Sequence, residues 1–225
     1  MGSAKNTGTA ARKARIEEMR RAEQSRERRT KIVKIAASAV VVAGLVVGGV
    51  AVVHAQSGKD DKDSSASDSK NSASGHFVAG SDGVNTWKGT LGRTHVTGTV
   101  KYPMHPPVGG NHNPVWLNCN GDVYTKAVKD ENAVHALEHG AVWVTYNKKA
   151  PAADIKALAT KVKSTPYSLM SPYDSQKDPI MLSAWGHQRT VKSASDPAVN
   201  TFFEKFVQGS QTPEPGAACT GGLSQ

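Results

Sequence analysis

The sequence predicts a mixed α+β domain, with a sheet covered by helices, held outside the cytoplasm by a single N-terminal transmembrane helix. Two observations predict this arrangement. Residues 35–53 carry no charge over 19 positions, and such a run spans roughly the 30 Å of bilayer hydrocarbon. Further along the chain, segments rich in β-branched and aromatic residues alternate with segments of helical periodicity. That mixture is typical of a sheet covered on at least one face.

Charge places the basic tail, residues 1–34, in the cytoplasm. This tail holds 11 of the 28 Lys and Arg residues but only 4 of the 19 Asp and Glu residues. Positive segments beside a span stay on the cytoplasmic side, so we predict a single-pass protein of the plasma membrane with its C-terminal domain outside. Anionic lipid accounts for the basic tail, and we therefore predict the membrane, and no nucleic acid, as its partner.

A cleaved signal peptide is the alternative interpretation of the span, because residues 53–55 resemble a cleavage site that would be cut after Ala55. The apolar run exceeds the usual signal core of about 7 to 15 residues, and the preceding tail is long for a signal peptide. These lengths favour an uncleaved anchor. Gly44 and Gly48 form a G-x-x-x-G pattern within the span, which would allow a homodimer through closely packed helices.

A disordered tether is predicted at residues 54–82, since the stretch 57–75 is rich in Ser, Asp and Lys and has no large apolar residue. The folded extracytoplasmic domain is predicted at residues 83–220, with a short tail at 221–225. This domain is large enough for one hydrophobic core.

Two helices and four strands are predicted within the domain. One helix follows Pro151 and buries Leu158 and Val162, and the other begins after Asp196, a capping residue followed by proline. Turn signals and β-branched residues predict strands at residues 94–102, 122–128, 141–147 and 180–186.

The two cysteines of the chain, Cys119 and Cys219, lie in the oxidising compartment in the predicted topology. We therefore expect a disulfide that ties the C-terminal residues to the loop before the second strand. A metal site built from two free thiols is the alternative, but paired cysteines outside the cytoplasm usually oxidise.

Three segments hold five of the eight histidines: "YPMHPPVGGNHNPVW" (102–116), "NAVHALEHGAVWVTY" (132–146) and "LSAWGHQRT" (182–190). Imidazole is a good ligand for zinc and copper, and thioether favours cuprous copper. We therefore predict a copper or zinc site with His112, His135 and His139 as its core. The further candidate ligands are His105, His187 and Met104.

The segment "HALEHG" reads H-x-x-E-H, the pattern of the inverted zinc proteases. His135 and His139 share a face whether the segment is helix or strand, and Gly140 predicts a helix C-cap. A catalytic zinc also needs a third protein ligand, and Glu204 has no other feature of a site around it. A metal-dependent hydrolase is therefore the third hypothesis, and the sequence favours a protein that is not an enzyme.

The motif segments together resemble a known family. "HPPVGGNH", Trp116 with the following "GDVY", "VHALEHGAVWVTY" and "SAWGHQ" are similar to an uncharacterised bacterial family of membrane-anchored proteins, the domain of unknown function numbered 3105, common in actinobacteria. The resemblance covers residues 76–220. Its pattern, P-P-x-x-G-x-H followed by H-x-x-E-H-G, matches Pro106, Pro107, Gly110, His112, His135, Glu138, His139 and Gly140.

The family resemblance implies a single-pass extracytoplasmic domain and no particular reaction. The chain departs from the family pattern at Asn111, where proline is common, and this change loosens the loop slightly. Two hypotheses remain from different classes. The first is a tethered metal-binding module supported by Glu138, and the second is a non-enzymatic domain that binds an envelope protein partner and whose histidines only organise the "HPPVGGNH" loop.

Overall fold

One mixed sheet of seven strands organises the computed structural model, which describes residues 73–224. The strands are β1 (Ala73–Ala79), β2 (Asn85–Leu91), β3 (Asn120–Val123), β4 (Val142–Tyr146), β5 (Ser168–Pro172), β6 (Ile180–Ala184) and β7 (His187–Val191). Three helices occur among these described residues: α1 (Asp130–Glu138), α2 (Ala152–Lys163) and α3 (Pro197–Phe206). The prediction of a mixed sheet with helices is thus confirmed.

Several sequence predictions fall on residues outside 73–224. These are the basic tail at 1–34, the span at 35–53 with Gly44 and Gly48, the cleavage alternative at Ala55 and most of the tether. Within 73–224, no helix combines the length and the apolar character needed to cross a membrane.

The strand order across the sheet is β1-β2-β7-β6-β4-β5-β3. β5 runs parallel to its two neighbours, β4 and β3, and the other neighbouring pairs are antiparallel. A parallel pair requires a crossover connection, and α2 supplies it between β4 and β5. α1 leads directly into β4 and packs against it, so the residues of α1 are fixed relative to the centre of the sheet.

The central strands carry the hydrophobic core. β4, β5 and β6 are buried along almost their whole length, as expected for strands covered on both faces. Trp143 of β4 is fully buried, and its indole nitrogen donates to the hydroxyl oxygen of Ser171 at 3.0 Å. The buried indole therefore keeps its hydrogen bond within the core.

Both predicted surface helices are confirmed. α2 buries Leu158 and Val162, and α3 buries Phe202, Phe203 and Phe206 among others. The carboxylate of Asp196 accepts a hydrogen bond from the backbone nitrogen of Ala198 at 2.9 Å, which caps α3 as its sequence predicts.

The strand predicted at residues 94–102 is wrong. This segment has a single isolated bridge, between His95 and His112, and joins no strand of the sheet. Its backbone bonds the Pro/Gly-rich loop (the "HPPVGGNH" segment, residues 105–112) instead. The His112 nitrogen donates to the Thr94 oxygen, and the Val96 nitrogen donates to the His112 oxygen. Farther along, the nitrogen of Val100 donates to a carboxylate oxygen of Glu131 at 2.8 Å. Bonds to a loop and to a side chain have replaced a strand ladder.

The sheet also extends beyond the predicted boundaries. β1 lies within the stretch assigned to the tether, because seven residue pairs join it to β2 and Phe77 contacts Trp87 with ring centroids 5.2 Å apart. At the other end, the nitrogen of Leu223 donates to the oxygen of Trp116 at 2.8 Å, so part of the predicted 221–225 tail is paired. Strands β1, β2, β5 and β7 were missed, and the strand predicted at 122–128 ends at Val123.

Candidate metal centre

Four side chains converge at the C-terminal half of α1. The potential ligand atoms of His95, His112, His135 and Glu138 all lie within 4.8 Å of one another. His135 and Glu138 come from α1, His112 ends the Pro/Gly-rich loop, and His95 lies in the irregular segment after β2. The fold therefore brings together donors from three separate parts of the chain.

The position of α1 explains how two donors share one face. Asp130 and Glu131 occupy its first turn, where the helix dipole favours negative charge. His135 and Glu138 are three residues apart, so their side chains lie on the same side of the helix. Gly140 follows the helix with φ of +90°, the left-handed conformation that ends many helices.

Backbone carbonyl groups orient the buried imidazoles. The Nδ1 atom of His112 donates to the oxygen of Gly110 at 2.8 Å, and that of His135 donates to the oxygen of Asn113 at 2.6 Å. A carbonyl oxygen only accepts hydrogen bonds, so Nδ1 carries the proton in both rings. Each Nε2 atom is then directed into the cluster, the orientation that backbone carbonyls bonded to Nδ1 give to metal-binding histidines.

Glu138 is a buried carboxylate between two nitrogen groups. Its Oε1 atom accepts a hydrogen bond from Nε of Arg93 at 2.5 Å, and its Oε2 atom lies 2.9 Å from Nε2 of His112. Burial alone would raise the pKa of Glu138, but the close approach of His112 and the hydrogen bond from Arg93 outweigh it and lower the pKa to about 2. The carboxylate is therefore ionised at neutral pH.

The contact between His112 and Glu138 is short but is not a directed hydrogen bond. Nε2 of His112 is buried and has no partner with hydrogen-bonding geometry among the residues of the described domain. A buried nitrogen without such a partner is unusual. The short distance is therefore an electrostatic contact that a cation between the two atoms would satisfy.

His135 is uncharged in this environment. Burial lowers its pKa to about 4, and the neighbouring His139 contributes to the same shift. A neutral imidazole is the form that binds metals, and at neutral pH no proton has to leave this ring first.

His139, predicted as a core ligand, lies beside the four-donor group and does not belong to it. Its Nδ1 atom donates to the oxygen of Ala218 at 2.6 Å, and its Nε2 atom lies 3.9 Å from a carboxylate oxygen of Glu214. Trp116 contacts its ring with centroids 5.2 Å apart. A backbone carbonyl thus orients His139 as well, and burial lowers the pKa of its ring.

The other predicted ligands are used elsewhere in the described domain. His105 is exposed and its Nδ1 atom lies 3.1 Å from the hydroxyl of Tyr173, which donates to Asp130 at 2.9 Å. His187 stacks on Phe206 with ring centroids 4.6 Å apart. Met104 is buried in the hydrophobic core.

The prolines and glycines of the family pattern, which were predicted to support the site, shape the loop and the helix end. Gly110 supplies the carbonyl that orients His112, and Pro106 accepts a hydrogen bond from Gln188 at 3.0 Å. Pro107 is buried in the same loop. Gly140 donates from its nitrogen to the oxygen of Leu137 at 2.9 Å and so closes the helix.

His95 and Arg93 were missed by sequence reasoning. His95 is a lone histidine in a segment with strand-like composition, and nothing in its spacing relates it to the H-x-x-E-H motif. The backbone pairing of residues 94 and 96 with His112 places it there, and that pairing joins residues about 17 positions apart.

The predicted disulfide between Cys119 and Cys219 is present.

The geometry differs from that of the inverted zinc proteases. In those enzymes both histidines of H-x-x-E-H bind zinc, and the glutamate acts on water. Here Glu138 belongs to the donor group, Arg93 holds one of its oxygens, and His139 stands outside the group. The motif therefore takes part in a different arrangement of candidate ligands in this fold.

Replacing Gly140 with alanine should destabilise the domain by about 1–3 kcal/mol, because a side chain at positive φ is strained. The added Cβ would also lie 2.6 Å from Nε2 of Gln208 and 2.8 Å from the side chain of Thr212. Chemical denaturation measures the change. Gly98→Ala is the matched control, since a Cβ there meets nothing within 4 Å, and equal stability of the two variants would contradict the prediction.

A comparison with known proteins places the chain in a family. No curated protein and no solved structure gives a significant match. The family model described as a protein of unknown function (DUF3105) matches residues 95–221, a stretch that contains all four donors. Because this match covers more than half of the 225 residues, the chain belongs to the DUF3105 family.

Proposed function

We propose that this chain is a single-pass membrane protein whose extracytoplasmic domain binds one zinc or copper ion through His95, His112, His135 and Glu138. The observation that carries the proposal is the contact between His112 and Glu138. Nε2 of His112 lies 2.9 Å from an ionised carboxylate oxygen without a directed hydrogen bond. A cation shared by these two atoms, either a proton or a metal ion, would satisfy the contact.

A metal ion accounts for the whole cluster, whereas a proton accounts for one contact. Ligand bonds of about 2.0–2.2 Å bring the donor atoms around a tetrahedral ion to about 3–4 Å from one another. The four donor atoms here lie within 4.8 Å. The carbonyl groups that hold His112 and His135 leave both Nε2 atoms available to the same ion.

The donor set favours zinc or cupric copper over cuprous copper. Imidazole binds both zinc and copper, while the carboxylate of Glu138 is a hard ligand that cuprous copper avoids. The cysteines form a disulfide and so offer no thiolate. Met104, considered as a soft ligand, packs in the core instead.

The disulfide also supports the extracytoplasmic side of the proposal. Disulfides persist in oxidising compartments and are rare in the cytoplasm. The uncharged run at residues 35–53 and the basic tail before it support an anchor of the predicted orientation. The full-length chain should therefore sediment with membranes until detergent is added.

Metal analysis of the full-length chain in detergent tests the site. The chain is loaded with Zn(II) or Cu(II), dialysed, and analysed for metal content by mass spectrometry. We expect one ion per chain in the wild type and its loss in His135→Ala, since an anchored buried ligand is removed. His105→Ala removes an exposed histidine outside the group and is the control.

Retention of metal by His135→Ala at the wild-type level would overturn the site. Absence of retained metal in the wild type would overturn the metal proposal altogether. The histidine cluster would then be structural, in a domain that binds an envelope partner.

A further inference from the structure

The four donors differ sharply in exposure. His112, His135 and Glu138 are buried, with side chains or residues 0–3% exposed, whereas the side chain of His95 is 48% exposed. His95 also stands farther out, since its Nε2 atom is 4.0 Å from Oε2 of Glu138 while that of His112 is 2.9 Å away. The site therefore has three interior donors and one on the solvent side.

The donors also differ in how they are held. Backbone carbonyl groups fix the rings of His112 and His135 through Nδ1. The ring of His95 makes no hydrogen bond within residues 73–224 and is held by ring contacts, including a stack on His135 with centroids 4.8 Å apart. Such contacts contribute about 0.5–1.5 kcal/mol, so this ring is the least restrained of the three.

The backbone around His95 is nevertheless fixed. The bonds of Thr94 and Val96 to His112 hold it on both sides, at 3.1 and 2.8 Å. Arg93 adds hydrogen bonds to Glu138 and Glu214 just before it. His95 can therefore leave the cluster by rotation about its side-chain bonds alone, a motion of picoseconds to nanoseconds for exposed groups.

The charges around the site favour an anion as the incoming group. Arg93 brings one positive charge, and Glu138 and Glu214 bring two negative charges. A divalent ion would reverse the balance and leave one net positive charge. With Arg93 half exposed beside it, the occupied site would attract a small anion from the solvent side.

We propose that His95 is a replaceable ligand, and that a small anionic donor takes its place on the metal from the solvent side. The inference rests on the proposed metal site and assigns that site its ligand class. With a metal bound, the exchange would be a ligand substitution in which Nε2 of His95 leaves and the anion takes its place, with no transfer of electrons. His112, His135 and Glu138 would hold the ion during the exchange.

Cobalt(II) in the full-length chain tests the proposal, because its visible spectrum reports the ligands that it binds. We expect His95→Ala to retain one cobalt ion with affinity lowered by at most about 100-fold, the upper end of the range for residues that only support the ligands of a metal. His112→Ala, which removes a buried donor, should retain none. Azide added to the wild type should change the spectrum saturably, and His95→Ala should bind azide at least tenfold more tightly.

Neutral imidazole serves as the uncharged comparison for azide. Stronger binding of azide than of imidazole supports the anionic class, and the reverse order would overturn it. If His95→Ala loses its cobalt as completely as His112→Ala does, His95 is not a replaceable ligand. That result would overturn this inference but would agree with the proposed metal site. A wild-type chain that binds no cobalt, zinc or copper would overturn both proposals.

Discussion

Replacing Glu138 with glutamine is expected to abolish metal retention while leaving the domain folded. Glutamine has the shape of glutamate, and its carbonyl oxygen still accepts the hydrogen bond from Arg93. Its amide group donates toward Nε2 of His112, which now lacks a directed partner. The bond from Arg93 then reaches a neutral oxygen, so the metal-free variant should lose about 1.5–3 kcal/mol of stability relative to the metal-free wild type, the size of a hydrogen bond to a charged group.

The same substitution should weaken metal binding much more than it changes the fold. Glutamine removes the one negative charge among the four donors, and we expect affinity to fall by more than about 100-fold. At a free metal concentration of 100 times the dissociation constant, the wild type should gain about 2.7 kcal/mol of stability. The variant should gain almost no stability at the same metal concentration. Thermal unfolding at increasing metal concentration measures the gain of both proteins.

Glu214→Gln is the matched control, because Glu214 also bonds Arg93 but lies outside the donor group. It should keep its metal. If the wild type gains no stability when metal is added, the contact with His112 is a proton-linked ion pair. The metal site would then be wrong.

The elements that the sequence predicts well are those whose signals are local. α3 has a capping carboxylate, a proline after it and phenylalanines at helical spacing, and all three act as expected. Strands β4 and β6 are central and apolar, so their composition alone predicts them. In each case, the residues that form the element also carry its signal.

The elements that were missed depend on distant partners. β1 has the Ser, Gly and Ala composition of a linker, and it becomes a strand because β2 pairs with it. Residues 94–102 look like a strand, but their hydrogen bonds go to His112 and Glu131. Neither outcome can be derived from local propensity, because strand formation depends on cross-strand partners.

The candidate site shows the same division. His112, His135 and Glu138 stood out because proline, glycine and the H-x-x-E-H spacing mark their segments. His95 joins them through a backbone pairing that no local pattern predicts, and His139 is turned toward Ala218 by a C-terminal segment almost 80 residues away. Spacing on a helix selects a face, whereas tertiary contacts decide which of its residues converge with donors from other segments.

Removing the Cys119–Cys219 disulfide is expected to cost about 4–5 kcal/mol of unfolding free energy, because the bond closes a loop of 100 residues in the unfolded chain. Domains have total stabilities of about 5–15 kcal/mol, so this is a large share. Alanine at both positions is preferred, since both sulfurs are fully buried and serine would leave unpaired hydroxyl groups. Denaturant unfolding of wild type and double variant measures the loss, and a difference below about 1 kcal/mol would contradict the estimate.

Metal binding should be much less sensitive to this change than stability is. The disulfide anchors the segment that supplies the Ala218 carbonyl to His139 and carries Glu214, neither of which is a donor. His112 and His135 are oriented by Gly110 and Asn113, which precede Cys119. Under conditions where the double variant is still folded, its metal affinity should therefore stay within about tenfold of wild type, at the low end for outer-shell changes. A complete loss of metal from the folded variant would mean that the C-terminal segment itself holds the donors in place.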